Sequence, residues 1–527
     1  MIYHCEDHTC NYWDEGEKLP ERCPQCGRKL LRANEADMTG DDWTALGNTL
    51  WDAEASDKKR MVDCFRKAAY LGSAWGVCNL GICMEQGNGV EADPVQAFWL
   101  YQQAVEMGSL NAVCCLGVCY EHGIGTAPDA KQAAELYCKA AEYGSPRGQM
   151  LLAHAFHDGI GVEADAAEAV HWVRAAAYQR YGEGMYRLGV CYEYGDGVEQ
   201  NWEHAVHWFR EAAESGVSAA MTDLGYCYEK GCGVEQSWEQ AFSWYRRGAE
   251  CGYPVSMSNL GLCYKRGYGV EQNWQEAVKW YEQGAQCGHL QSMNNLACCY
   301  EDGEGVEQNM TEAIRWYTAA AEGGNADAMH DLGWLYDHGE GVEQDMKKAI
   351  CWYERAAEQN HPAAMNSLGE CYAMGRGVPR DLETAMEWYR RAAELGEAMA
   401  DYNMGWHLEQ AGKLSEAYAH YRKAADGNDD SAWWALGRFY ENGVVVAQDG
   451  KEARRCYETG EKLGSVKCKM RLARCKLLGI GGRRAKKAGL DLCRQALELA
   501  KESSEKEDYG YEAEMNLLRR TIAENES

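Results

Sequence analysis

The stretch Ala219-Ala220-Met221-Thr222-Asp223-Leu224-Gly225-Tyr226-Cys227-Tyr228-Glu229, followed by Gly231-Cys232-Gly233-Val234, decides how this chain folds. Met221, Leu224 and Tyr228 stand at i, i+3 and i+7, the spacing of one helix face. Gly225 lacks a side chain, so a neighbouring helix can approach closely. Gly231 and Gly233 end the helix, because glycine accepts the left-handed C-cap conformation, and Val234 follows as an apolar plug. A second helix is predicted from near Ser237, carrying Ala241, Trp244, Tyr245 and Ala249, with Gly252 closing it.

The unit recurs every 36 residues, with glycine pairs from Gly87/Gly89 through Gly231/Gly233 to Gly375/Gly377 and an out-of-phase return at Gly479/Gly481. A fixed period in the range of about 20–50 residues identifies a stacked array. The second helix repeats Trp208-Phe209, Trp244-Tyr245, Trp280-Tyr281, Trp316-Tyr317, Trp352-Tyr353 and Trp388-Tyr389 in step, while Trp172-Val173 has lost the aromatic partner. These stripes are expected to pack adjacent repeats together. Leu-Gly-like anchors from Leu46 to Leu472 number 13. The predicted fold is all-α: an α/α superhelical solenoid of about 13 helix-hairpin repeats over 40–501, preceded by a Cys-rich head at 1–33 and closed by a charged helical cap at 502–527. Near residue 411 the pair is replaced by Ala411-Gly412-Lys413 and the repeat shortens, which predicts a break there.

The net charge of −29 opposes nucleic-acid binding, whose affinity comes mostly from phosphate neutralisation. The charge is uneven: residues 450–501 hold 15 Lys/Arg against 5 Asp/Glu. That stretch either complements acidic neighbours or docks an acidic partner. The start Met1-Ile2-Tyr3-His4-Cys5 opens no apolar run, and no stretch approaches the roughly 18–20 apolar residues of a membrane span. Most of the 25 cysteines fall at buried helix positions, which fits free thiols in a reducing cytoplasm. With so simple an architecture, a bacterial protein is expected.

In the head, Cys5 and Cys10 precede Cys23-Pro24-Gln25-Cys26-Gly27. Cys-Pro-x-Cys-Gly resembles a zinc knuckle, and two knuckles form a tetrahedral four-sulfur site of the structural kind. Cys5, Cys10, Cys23 and Cys26 are the predicted ligands of one structural zinc, with a short β-hairpin between the knuckles. The first pair is C-x4-C where zinc ribbons usually have C-x2-C, so His8 is an alternative ligand. So small a head depends on the metal for its folding energy.

The pattern A-M-x-x-L-G-x-x-Y-x-x-G-x-G-V, then A-x-x-W-Y-x-x-A-A-E-x-G, closely resembles the Sel-one-like repeat (SLR), a relative of the tetratricopeptide repeat. The resemblance implies a scaffold that binds protein or peptide segments in a groove lined by the first helix of each hairpin. On this sequence the groove slots are Lys265, Arg266, Asn294, Cys298, Glu301, Asp302, His330, Trp334, Asp337, His338, Asn366 and Glu370. Such an acidic, amide-rich ladder suits a partner carrying Lys or Arg. A cysteine-rich branch of the family joins a Cys late in one hairpin to a Cys early in the next. Here Cys251 and Cys287 fill the first place, but Met257 and Met293 fill the second, so those disulfides cannot form.

No H-E-x-x-H, G-x-S-x-G or G-x4-G-K-[ST] motif occurs. The recurrent G-x-G lies between helices and not after a strand. His154 and His157 share one helix, where surface or interface roles are expected. The leading expectation is therefore a non-enzymatic cytoplasmic scaffold. One alternative is a small-molecule or peptidoglycan-fragment binder or hydrolase using His330, Asp337 and His338. Another is a nucleic-acid-associated factor acting through the head and residues 450–501.

Overall fold

One short segment both stops each first helix and starts each second one. The helix Ser218–Lys230 (α11) ends where Gly231 adopts φ 75°, and the Gly231 N–H donates to the Cys227 carbonyl. The last-turn carbonyls of a helix need partners. Gln236 supplies one, its Nε2 donating to the Glu229 carbonyl at 2.8 Å. Gln200, Gln308, Gln344 and Gln448 do the same in their own repeats. Ser237 then caps Trp238–Glu250 (α12) by accepting from the Gln240 N–H. Asp129, Asn309 and Asp381 occupy the same cap elsewhere. Gly-x-Gly-Val-Glu-Gln-Ser is thus a stop signal and a start signal fused into one loop.

The computed structural model describes residues 2–5, 13–15, 30–32, 35–51, 55–506 and 511–526. From Gly40 to Lys506 it holds 26 helices, 13 first and 13 second, with one more at Glu512–Glu526 (α27). Two compact units divide the chain, Met1–Gln272 and Asn273–Ser527. In the first, first helices of successive repeats touch directly, as do Ala74–Gln86 (α3), Leu110–His122 (α5) and Pro146–Asp158 (α7). In the second, Asp430–Asn442 (α23) and Val466–Leu478 (α25) do likewise. These neighbouring first helices therefore share a face. No helix among the described residues is long and apolar enough to cross a membrane.

The two rings of each second-helix aromatic pair have different jobs. The second ring is core. Tyr245 is 1 % exposed, and a Cβ on Gly225 would lie 2.6 Å from its ring. The anchor glycine thus receives a ring from its own repeat's second helix. A buried phenol needs a hydrogen-bond partner, and the Tyr245 hydroxyl donates to Glu229, 16 residues back, at 2.9 Å. Tyr101–Glu85, Tyr137–Glu121, Tyr317–Glu301 and Tyr457–Glu441 repeat this bond at 2.6–2.7 Å. The tryptophans are half-buried or at the edge of burial, and several carry an arginine over the ring, as Arg247 sits 4.2 Å from Trp244 and Arg355 4.3 Å from Trp352.

All 21 cysteines whose side chains are described are free, and fourteen of them are buried. Cys251 and Cys287 are exposed and unbridged. Burial pushes typical core thiols such as Cys227 and Cys263 up to about 12, so they pack as small apolar groups.

At the N-terminus, Ile2–Cys5 (β1), Trp13–Glu15 (β2) and Leu30–Arg32 (β3) form an antiparallel sheet in the order β2-β1-β3. β2, which lies between the two cysteine pairs, is antiparallel to β1, which ends at Cys5; most of the stretch where a hairpin was expected lies outside the described residues. Cys10, Cys23, Cys26 and the side chain of Cys5 lie outside the described residues. Between the head and the repeats lie a 3-10 turn at Glu35–Asp37 and the buried Met38, and Thr39 forms a capping box with Asp42 at the start of Gly40–Thr49 (α1). Around 411, Ala398–Gln410 (α21) and Leu414–Asp426 (α22) pack against each other, and helix packing continues on both sides. The last hairpin runs beyond 501, its second helix spanning Lys486–Lys506 (α26).

Candidate functional site

The first-helix face is where the repeats present variable side chains, and the predicted groove residues sit on it in three different states. Exposed or half-exposed are Lys265, Arg266, Glu301, Asp302, His330, Trp334 and His338. Glu301 is already engaged by the Tyr317 hydroxyl at 2.6 Å. Trp334 is only partly exposed. It packs against the core, and its ring stacks on His338 at 4.2 Å with the planes 24° apart. His330 stacks on His361 at 5.2 Å and lies 3.3 Å from Asp331.

Asn294, Asp337 and Asn366 are buried, against the expectation that they face an open groove. Asp337 takes the slot that holds Glu elsewhere and accepts from Arg376 at 3.0 Å. Asn366 donates to Glu370 at 3.2 Å and accepts from Asn403 at 3.0 Å. Neighbouring first helices converge here, so polar side chains that look solvent-facing on one helix are shared between two. Asn294 Oδ1 is buried without a hydrogen-bond partner. His330, Asp337 and His338 do not converge as a catalytic set: Asp337 is tied to Arg376, while the His338 ring meets the Trp334 carbonyl at 3.0 Å.

In the first unit a pocket of about 780 Å³ opens on the faces of α7 and Gly182–Tyr194 (α9), with Ala166–Tyr178 (α8) beneath. Its apolar lining includes Met150, Ala153, Val170, Val173 and Val190. At its rim His157 joins Asp158 and reaches Asp196 of the next repeat at 3.1 Å, while His154 lies 3.4 Å from Asp158. The Asp158 hydrogen bond, outweighing partial burial, holds the His157 imidazole above its ordinary range. On the opposite wall Arg187 pairs with Glu183 at 3.0 Å. Sequence reasoning did not assemble this site. The signal was the lost aromatic at Val173, together with His157 and Ala153 standing in the Glu and Gly slots of the same repeat.

Consecutive hairpins of paired helices in each unit define the class: a helical-repeat solenoid protein. The Sel1 repeat family model matches eleven consecutive segments between residues 76 and 465, and the chain belongs to that family. Solenoids of this family are generally protein-interaction scaffolds and generally not enzymes. Among solved structures, the chain is similar to c5321 of uropathogenic Escherichia coli, a protective antigen with an SLR fold, at 29% identity over 81% of this chain and 94% of that one, with a TM-score of 0.56. It is also similar to a Sel1 repeat protein from Oxalobacter formigenes, at 32% identity over 46% of this chain and 96% of that one, with a TM-score of 0.43. Among curated proteins, none matches the chain.

Proposed function

We propose that this protein is a non-enzymatic cytoplasmic scaffold that holds protein or peptide segments against its first-helix face. The observation supporting this most is that first helices of several successive repeats touch one another, which gives an extended partner many small contacts. Asp302 is exposed and Glu301 half-exposed, and the chain is strongly acidic, so segments rich in Lys or Arg are the preferred partners. The head, through Cys5, Cys10, Cys23 and Cys26, holds one structural zinc on the evidence of its cysteine spacing. It either covers the first repeat or adds a second docking module.

Within the basic stretch at 450–501, Arg471 and Arg474 bind Glu441, and Arg471 also binds Glu514 of α27, so part of its charge complements acidic neighbours. The test is capture of basic and acidic peptide arrays by the full chain and by a form carrying Cys23→Ser and Cys26→Ser. Selective retention of basic peptides by both forms is expected, with zinc content falling from about one per chain to none in the variant. Equal retention of acidic and basic peptides would overturn the charge preference, and retention of neither would overturn the scaffold reading.

A further inference from the structure

The pocket on α7 and α9 coincides with three departures from the repeat pattern. In several repeats an anchor glycine, the buried ring 20 residues later and the carboxylate 16 residues before that ring form one packed unit. In the preceding repeat these are Gly117, Tyr137 and Glu121, and the Tyr137 ring is fully buried. In the following repeat Gly189 meets the buried ring of Phe209. Between them the same three slots hold Ala153, Val173 and His157, and all three line the pocket. Valine is too short to fill the volume that a tyrosine ring takes next door. The ring is missing from the inside, and its space is open from the first-helix face.

The lining says what enters. The floor is apolar, so a hydroxyl or charge at the tip of an entering group would lose its water without gaining a partner. The rim is polar and nearly balanced in charge: Asp158, Glu183 and Asp196 stand against Arg147, Arg187 and the two histidines. Arg147 is further occupied, donating to Asn111 at 2.8 Å. A balanced rim does not select for a cationic side chain, but it offers donors and acceptors to a peptide backbone. The volume falls within the roughly 300–1,000 Å³ of ordinary ligand pockets.

We infer that this pocket binds an uncharged aromatic side chain, of the phenylalanine type, from a peptide lying along the first-helix face. The ring takes the place vacated at Val173, and the peptide backbone meets the His157–Asp196 bridge. This inference rests on the scaffold reading for the source of the ring, but the pocket can be tested without a partner. N-acetyl-phenylalaninamide is titrated into the full chain with 13C-labelled methionine methyls, beside the tyrosine, lysine and alanine amides. The Met150 methyl is expected to shift with the phenylalanine probe, less with tyrosine, and not with lysine or alanine.

The variant A153G/H157E/V173Y restores the neighbouring repeats' pattern and fills the space from within. It is expected to keep the helix content and urea midpoint of the parent and to weaken the probe by about tenfold or more. Should the triple variant not fold, Val190→Gln changes the pocket wall from the surface side, and loss of the Met150 response is again expected. No Met150 shift in the parent, or an equal shift in the folded variant, would overturn the inference. If the probe fails while peptide arrays are still captured, only the pocket assignment falls. If the probe binds but no peptide is captured, the scaffold reading falls and the pocket stands as a small-molecule site.

Discussion

Gly305→Ala is expected to destabilise its repeat by about 2–5 kcal/mol, far beyond an ordinary glycine-to-alanine change. Gly305 holds φ 80°, where an L side chain costs about 1–2 kcal/mol. A Cβ there would also lie 2.5 Å from the Trp274 carbonyl oxygen and 2.6 Å from the Trp274 carbonyl carbon. Trp274 opens the second helix of the preceding repeat, and its backbone cannot rotate aside, so overpacking adds about 1–3 kcal/mol. Gly324 is the matched control: it holds φ 106°, but a Cβ there would meet nothing within 4 Å. Gly324→Ala should show the conformational term alone. Repeat arrays do not always unfold in one step, so the measurement is hydrogen exchange across residues 290–325 of the full chain. Faster exchange in Gly305→Ala than in Gly324→Ala is expected. Equal exchange would mean that the repeats can slide apart at no cost, and the close packing assigned to the second glycine would be wrong.

Arg471→Ala should release the C-terminal helix α27 while the repeats stay folded. Arg471 grips Glu514 with two nitrogens, at 2.6 and 2.8 Å, and reaches Glu441 at 3.4 Å. The Glu514 side chain is 7% exposed and the Arg471 side chain 13%. Without the guanidinium, Glu514 keeps the Trp434 indole N–H at 3.3 Å and the charge of the nearby Lys467. Breaking a buried pair from one side costs about 3–5 kcal/mol, because the remaining charge is stranded. Opposing release are the apolar contacts of Tyr511, Met515 and Leu518. Arg484, donating to Asn525 at 2.7 Å, is a further tie.

Hydrogen exchange at 512–526 should therefore rise sharply in Arg471→Ala, with little change at 430–442. Glu514→Gln should be milder, since Arg471 retains Glu441 and the amide strands no charge. Unchanged protection of 512–526 in Arg471→Ala would show that apolar packing alone holds the helix.

The 36-residue period, the paired helices and the chain's division into 13 hairpins were legible from residue identity alone. Glycine at a left-handed position, Asp, Asn or Ser at a helix start, and apolar spacing at i, i+3 and i+7 are local signals, each complete within one turn of chain. The Tyr–Glu bond was written in the sequence as well, as a constant separation of 16, but its meaning required knowing that both ends turn inward. The groove residues were less legible. Asn366 and Asp337 occupy slots that face outward on a single helix, yet a second first helix lies beside each, and Asn403 and Arg376 close over them. The pocket at Val173 and the docking of α27 through Arg471 were beyond any one repeat. The first is a volume left between helices of two repeats by a missing ring. The second joins residues 43 positions apart through charges that are costly to bury until they meet. Period and capping are properties of short stretches of chain; burial, cavities and long-range ion pairs exist only once the helices have been stacked.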